Sequence, residues 1–126
     1  MVEPKTLITE YLRTLSGRAK TPEIVQQYVA DERLARHISE TEAAFPGYEI
    51  IIQDVLADGA KVVVRGEFRG VHHGEFAGIE ATGQSVSAGL IIIYAVADGR
   101  IVDHWMQFDL FTLLDQLKSA SAATVA

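Results

Sequence analysis

The chain has 126 residues, a formal net charge of −6 and 48% hydrophobic residues. That is the size of one domain, and folding should bury roughly two-thirds of the unfolded chain's surface. The acidic balance and the lack of a Lys/Arg cluster argue against a nucleic-acid partner. The absence of cysteine excludes disulfides and thiolate chemistry.

The first residues, Met1 to Lys5, contain no apolar leader segment. No stretch reaches the ~18 apolar residues of a membrane span. The expectation is a cytoplasmic protein without a membrane partner.

Helices come first. Leu7, Ile8, Tyr11, Leu12 and Leu15 repeat at helical spacing, and Gly17 can end that segment at positive φ. Thr21-Pro22-Glu23 reads as a helix start, with Thr21 as cap and Pro22 at the first helical position. Ile24, Val25, Tyr28 and Val29 give this second helix its apolar face. Asp31 can cap a third helix, with Leu34, Ile38, Thr41 and Phe45 on one face. Glu32, Arg36 and Glu40 lie on another face at i,i+4 spacing and read as solvated. Phe45-Pro46-Gly47-Tyr48 turns out of the helix.

Four antiparallel strands follow, near Tyr48–Leu56, Lys61–Arg69, Ser85–Val96 and Ile101–Phe108. Asp58-Gly59 and Asp98-Gly99 suit type I′ hairpin turns. The glycine-rich segment from Gly70 to Gly83 reads as a long irregular connection. A last helix runs from about Leu110 to Leu117, and residues 119–126 are expected to form a disordered tail. Helices followed by a strand meander give an α+β class, in one domain over residues 1–118.

Side-chain alternation assigns the strand faces. In the second strand Val62, Val64 and Phe68 oppose Lys61, Arg65, Glu67 and Arg69. In the third, Leu90, Ile92 and Tyr94 oppose Ile91, Ile93 and Ala95. In the fourth, His104, Met106 and Phe108 oppose Ile101 and Trp105. Strands apolar on both faces must be covered on both. The helices cover one face. A homodimer contact near Ile91, Ile93 and Trp105 is expected on the other, the alternative being a C-terminal helix folded over it.

The string Gly70-Val71-His72-His73-Gly74-Glu75-Phe76-Ala77-Gly78-Ile79 precedes Ala81-Thr82-Gly83 and then Asp98-Gly99-Arg100-Ile101-Val102-Asp103-His104-Trp105. In combination this series resembles the SnoaL-like polyketide cyclases of the nuclear transport factor two-like superfamily. The resemblance implies a cone-shaped roll in which N-terminal helices and a C-terminal helix pack on a curved, mainly antiparallel sheet. It also implies a pocket for a small hydrophobic, polyketide-like or cyclic molecule, and cyclase- or isomerase-type proton transfer. The family's acid/base positions fall here at Ile92 and Met106, which cannot move a proton. The isomerase with the same fold, a worked example of a protonated Asp donor, has that donor at the position of Ile92. A non-catalytic binding or carrier protein is therefore the alternative.

The same register places Leu90, Ile92, Tyr94, His104, Met106 and Phe108 on the pocket face. His104 is the leading catalytic candidate, since imidazole titrates near neutrality; the alternative is a packed histidine bonded to backbone. Asp103 should point away from it. Asp109 could orient a substrate or a histidine, or simply cap the last helix through Thr112. Tyr11 and Tyr28 are candidate phenol donors or core tyrosines, and His37 can reach the pocket mouth or make a structural bond. His72 can close its loop by hydrogen bonding. His72 and His73 diverge on an extended segment, so no metal site is assigned, and no cofactor is implied.

Overall fold

The computed structural model describes residues 2–125, with side chains to Ser119. Three helices come first: α1 (Pro4–Leu15), α2 (Pro22–Tyr28) and α3 (Glu32–Ala44). Strands β1 (Glu49–Asp58), β2 (Lys61–Val71), β3 (Ser85–Ala97) and β4 (Arg100–Phe108) follow, and α4 (Leu110–Val125) ends the chain. The strands form one antiparallel sheet in the order β1-β2-β3-β4.

The helix starts follow from local chemistry. The Thr21 hydroxyl accepts the Ile24 N–H, and the Asp31 carboxylate accepts those of Arg33 and Leu34. Each satisfies donors that the first helical turn leaves without partners. Gly17 and Gly47 take positive φ where α1 and α3 turn out.

The two hairpins differ. Asp98 and Gly99 both have positive φ, as a type I′ turn requires. In the first hairpin Asp58 pairs with Lys61, so Gly59-Ala60 is the two-residue turn and Gly59 alone is left-handed. Glycine at the first central position fits type II′.

The inner faces of β2 and β3 are buried as alternation predicts, with Val62 and Val64 fully covered. β4 departs from simple alternation. Its pairing slips between Ala95/Asp103 and Val96/Ile101, which leaves Val102 as an extra residue. Ile101 is thereby turned into the core at 0% exposure, not onto the Trp105 face, and Val102 is pushed to the surface.

The α2–α3 link is fastened to this irregularity. The Ile101 carbonyl accepts the N–H groups of both Ala30 and Asp31. The Arg100 guanidinium donates to the carbonyls of Gln26 and Val29.

Helix α4 buries Leu113 and Leu117 on the helix side of the sheet, so it does not cover the outer face. Its Gln116 amide donates to the Ser87 carbonyl and accepts the Ser87 N–H, satisfying the edge of β3 beyond the end of β4. The backbone stays helical to Val125, past the Leu117 expected as its end, over an alanine-rich stretch of good helix formers. The side chains of 120–126, most of the expected tail, lie outside the described residues.

The 72–84 connection is clasped to the end of α3. His73 and Gly74 donate their N–H groups to the Ala44 carbonyl. A Cβ on Gly74 would overlap the Ala43 carbonyl oxygen, so only glycine allows this approach. Gly74→Ala should lower unfolding free energy by roughly 1–3 kcal/mol. Gly89→Ala, whose added Cβ meets nothing within 4 Å, should change it by less than ~0.5 kcal/mol. Urea denaturation of the two variants checks this.

Candidate functional site

A cavity of about 420 Å³ lies between the helices and the inner face of the sheet. Its size and largely apolar wall are those of a small-molecule site. Leu90, Ile92, Tyr94, Met106 and Phe108 supply the sheet wall, as the strand parity predicts. Tyr11 enters from α1, and Leu113 closes the cavity from α4.

Aromatic edges shape the interior. Phe68 meets Phe45 and Phe108 edge-on at centroid separations of 5.2 and 5.7 Å. Tyr11 meets Tyr94 edge-on at 5.8 Å. These are favourable aromatic geometries and fix the rings without polar contacts.

The other sequence candidates divide. His37 lines the cavity but is exposed, so it stands at the mouth and not on a buried helix face. Partial burial, and next the neighbouring His104, lower its pKa. Tyr28 does not line the cavity. Its ring packs on Tyr11, and its hydroxyl reaches Glu10 and Thr14 at the surface. Asp109 is exposed and caps α4: its carboxylate accepts from the Thr112 N–H and hydroxyl at 3.1 and 2.6 Å. Those two bonds hold its carboxyl below its usual value. It does not line the cavity.

His72 is wholly buried. Its Nδ1 accepts the Thr82 N–H at 3.2 Å, which closes the loop as expected and places the ring proton on Nε2. That Nε2 has no partner among the described residues. Burial lowers its pKa.

His104 is buried on the inner side of the sheet, but it is not among the side chains that line the cavity. It is not tied to backbone through its ring. Its Nδ1 lies 2.7 Å from Asp31 Oδ2. A carboxylate only accepts, so Nδ1 carries a proton, and Nε2 is the ring nitrogen that Asp31 leaves free. Burial alone would raise the Asp31 carboxyl. The bonds from His104 and from the Leu34 and Arg33 amides, with the imidazole's charge, outweigh it and hold the carboxyl below its usual value.

Asp31 is thus both helix cap and histidine partner, and sequence reasoning found only the first role. The two residues are 73 apart in sequence, and no local pattern links them. Asp103 is half exposed and is not the partner of the His104 ring. Its carboxylate lies within 4.8 Å of the ligating atoms of Asp31 and His104. There its carboxylate accepts the His104 N–H and the Arg33 guanidinium. With these partners in place the trio makes an ion-pair network better than a metal site.

Four helices and an antiparallel meander around an apolar cavity that opens at His37 are the architecture of the nuclear transport factor two-like cone fold. The sequence model of the SnoaL-like polyketide cyclase family matches residues 14–117, and the chain belongs to that family. Among solved structures it is similar to IdmH from Streptomyces antibioticus, a candidate polyketide cyclase. Identity there is 25% and the TM-score 0.76, over 93% of this chain and 99% of that one. It is also similar to AclR from Streptomyces galilaeus, a candidate hydroxylase, at 24% identity and TM-score 0.78 over 92% and 81% of the two chains. A candidate cyclase from Acidithiobacillus ferrooxidans superposes with TM-score 0.81 at 21% identity, over 94% and 96%. Comparison with curated proteins gave no match.

Asp31→Ala should cost roughly 2 kcal/mol or more, about 1 for the cap and the rest for the charged hydrogen bond. Asp31→Asn, a good cap itself, should cost less. Because the Asp31 carboxyl is held below the value of 3.8, its contribution is complete above that pH and fades as pH falls below it. Asp31→Asn should therefore flatten the acid limb of the stability profile below about pH 4, as read from urea midpoints.

Proposed function

We propose that this protein takes a small hydrophobic molecule, cyclic or polyketide-like, into the cavity and catalyses a proton transfer on it. The cavity itself carries this reading: its size suits a small ligand and its wall is mostly hydrocarbon. His104 is the proton-handling group. Asp31 fixes its tautomer and orientation, leaving Nε2 available as a base. His37 at the mouth is the second ionisable group within its influence.

A second reading is a binding or carrier protein without catalysis. Its support is that Ile92 and Met106 occupy the wall where the resemblance implies acid/base residues, and that no carboxylate lines the cavity among the described residues.

The protein would work as a homodimer in the cytoplasm. Ile91, Val102 and Trp105 remain nearly half exposed on the outer face of the sheet, with Ile93 beside them. Lys61 lies over the Trp105 ring at 5.2 Å.

The fluorescence of an aminonaphthalene dye should rise on binding, and Met106→Trp, which fills the cavity, should abolish the rise while circular dichroism stays unchanged. Turnover of a poly-β-keto ester panel should fall at least 100-fold in His104→Ala. Undiminished turnover would remove His104 from the mechanism, and tight binding without turnover would favour the carrier reading. Light scattering at micromolar concentration should give a dimer mass, and Trp105→Glu a monomer mass; a monomeric unmodified chain would sink the dimer.

A further inference from the structure

His72 has no part in the proposed chemistry, yet it is 0% exposed and its Nε2 has no partner among the described residues. A buried donor left unsatisfied is costly, and native structures keep few of them. The surroundings of this ring give it a use.

Between β2 and β3 the chain leaves the sheet as a loop with a stiff tip. Phe76 and Ile79 exchange two backbone hydrogen bonds, at 2.9 and 2.8 Å, across Ala77 and Gly78. Both central residues have positive φ, which is the geometry of a type I′ turn. Phe76 lines the cavity, and Ile79 packs on the core. Two anchors hold the tip down. On one side the Ala44 carbonyl accepts the N–H groups of His73 and Gly74. On the other, His72 Nδ1 accepts the Thr82 N–H, and the ring packs on Phe45 at 5.4 Å. Phe45 in turn meets Phe76 at 5.2 Å. The first anchor is backbone and does not titrate. The second does.

A charged ring does not fit the closed loop. Nε2 already carries one proton, so a second must go on Nδ1, against the Thr82 N–H. The Thr82 hydroxyl, 3.1 Å away, can turn to accept it, but the Thr82 N–H then loses its acceptor. No carboxylate compensates among the described residues. Glu75 and Glu80 on the loop are exposed, as are Glu40 on α3 and Asp115 and Lys118 on α4. Glu42 on α3 is engaged by Lys20 and the Gly47 N–H, and Glu67 on β2 by Arg69. The first five residues of β3 carry no charge. Burial lowers the pKa of His72, a backbone contact at Gly74 opposes this, and His73 adds to it. The closed loop is therefore fully stabilised above the ordinary imidazole value of 6.5 and loses stability as pH falls below it.

We propose that the 72–84 loop is an acid-opened hatch on the cavity, fastened by the neutral His72 ring. Opening lets the ring take up a proton and lifts Phe76 from the cavity wall. That a ligand passes through the hatch rests on the small-molecule reading of the cavity; the opening itself does not.

Hydrogen exchange of the 72–84 segment, corrected for its intrinsic pH dependence, tests the opening. Between about pH 7.5 and 5.0 a ring that charges only when open predicts a rise in open population of up to about 30-fold, and at least about fivefold is expected. The β2 and β3 segments should not change. His72→Asn keeps an acceptor for the Thr82 N–H and cannot charge, so its exchange should not depend on pH; His73→Asn should behave as wild type. No gain in the wild type, the same gain in His72→Asn, or a gain shared with β2 and β3 would overturn the proposal. If His72→Asn fails to fold, the nitrogen shifts of the wild-type ring at neutral pH decide: a proton on Nδ1 would overturn it. Release of a bound aminonaphthalene dye should speed up by the same factor as loop opening. An open loop with unchanged dye release would overturn the hatch and leave the cavity reading standing. Absence of dye binding at either pH would overturn the cavity reading and the hatch with it, leaving only a loop that opens in acid.

Discussion

The arrangement of this molecule depends on a single backbone oxygen. The Ile101 carbonyl accepts two N–H groups from the link between α2 and α3. That junction sets where α3 begins, and Asp31 begins it. Asp31 then reaches His104 three residues further along the same strand. The bulge that frees the Ile101 carbonyl also turns the Ile101 side chain inward and sends Val102 out. One irregularity in one strand therefore positions a helix, a core residue and the histidine dyad together.

The dyad and the cavity are built by different rules. The cavity wall is hydrocarbon and aromatic edge, held by packing alone. The dyad belongs to a chain of charges, Arg33–Asp103 and His104–Asp31, on the flank of the same sheet. The buried Asp31 carboxylate is met by the His104 ring and by the Arg33 and Leu34 amides, whereas Arg33 and Asp103 pair near the surface. The family name fixes the architecture and leaves the chemistry to these side chains, as is usual for a fold that hosts many reactions. The candidate cyclases and hydroxylase with the same architecture illustrate the point.

Most of the architecture was legible in the sequence because its signals are local. Thr21-Pro22, Asp31 and Asp98-Gly99 each dictate their conformation within a few residues. Alternation along β3 assigned the cavity wall correctly at Leu90, Ile92 and Tyr94. The sequence reading failed where pairing between strands overrides alternation. Ile101 was placed on the wrong face because a bulge inserts one residue and resets parity. Asp31 as a partner of His104 was invisible for a related reason: its cap role already explained it, and the second role exists only once α3 is docked. The first hairpin shows the same limit on a small scale. Asp58-Gly59 suggested one turn, and the register chose Gly59-Ala60.

The Gln116 amide bonded to Ser87 has a meaning beyond holding α4 in place. Beyond the end of β4, β3 offers unpaired backbone groups, the kind of edge onto which a strand from another molecule can add. A side-chain amide carries the same donor and acceptor as a peptide unit, and here it occupies the place of a missing neighbouring strand. The last helix is in this sense a guard on the sheet, keeping a growth point closed while its leucines seal the cavity.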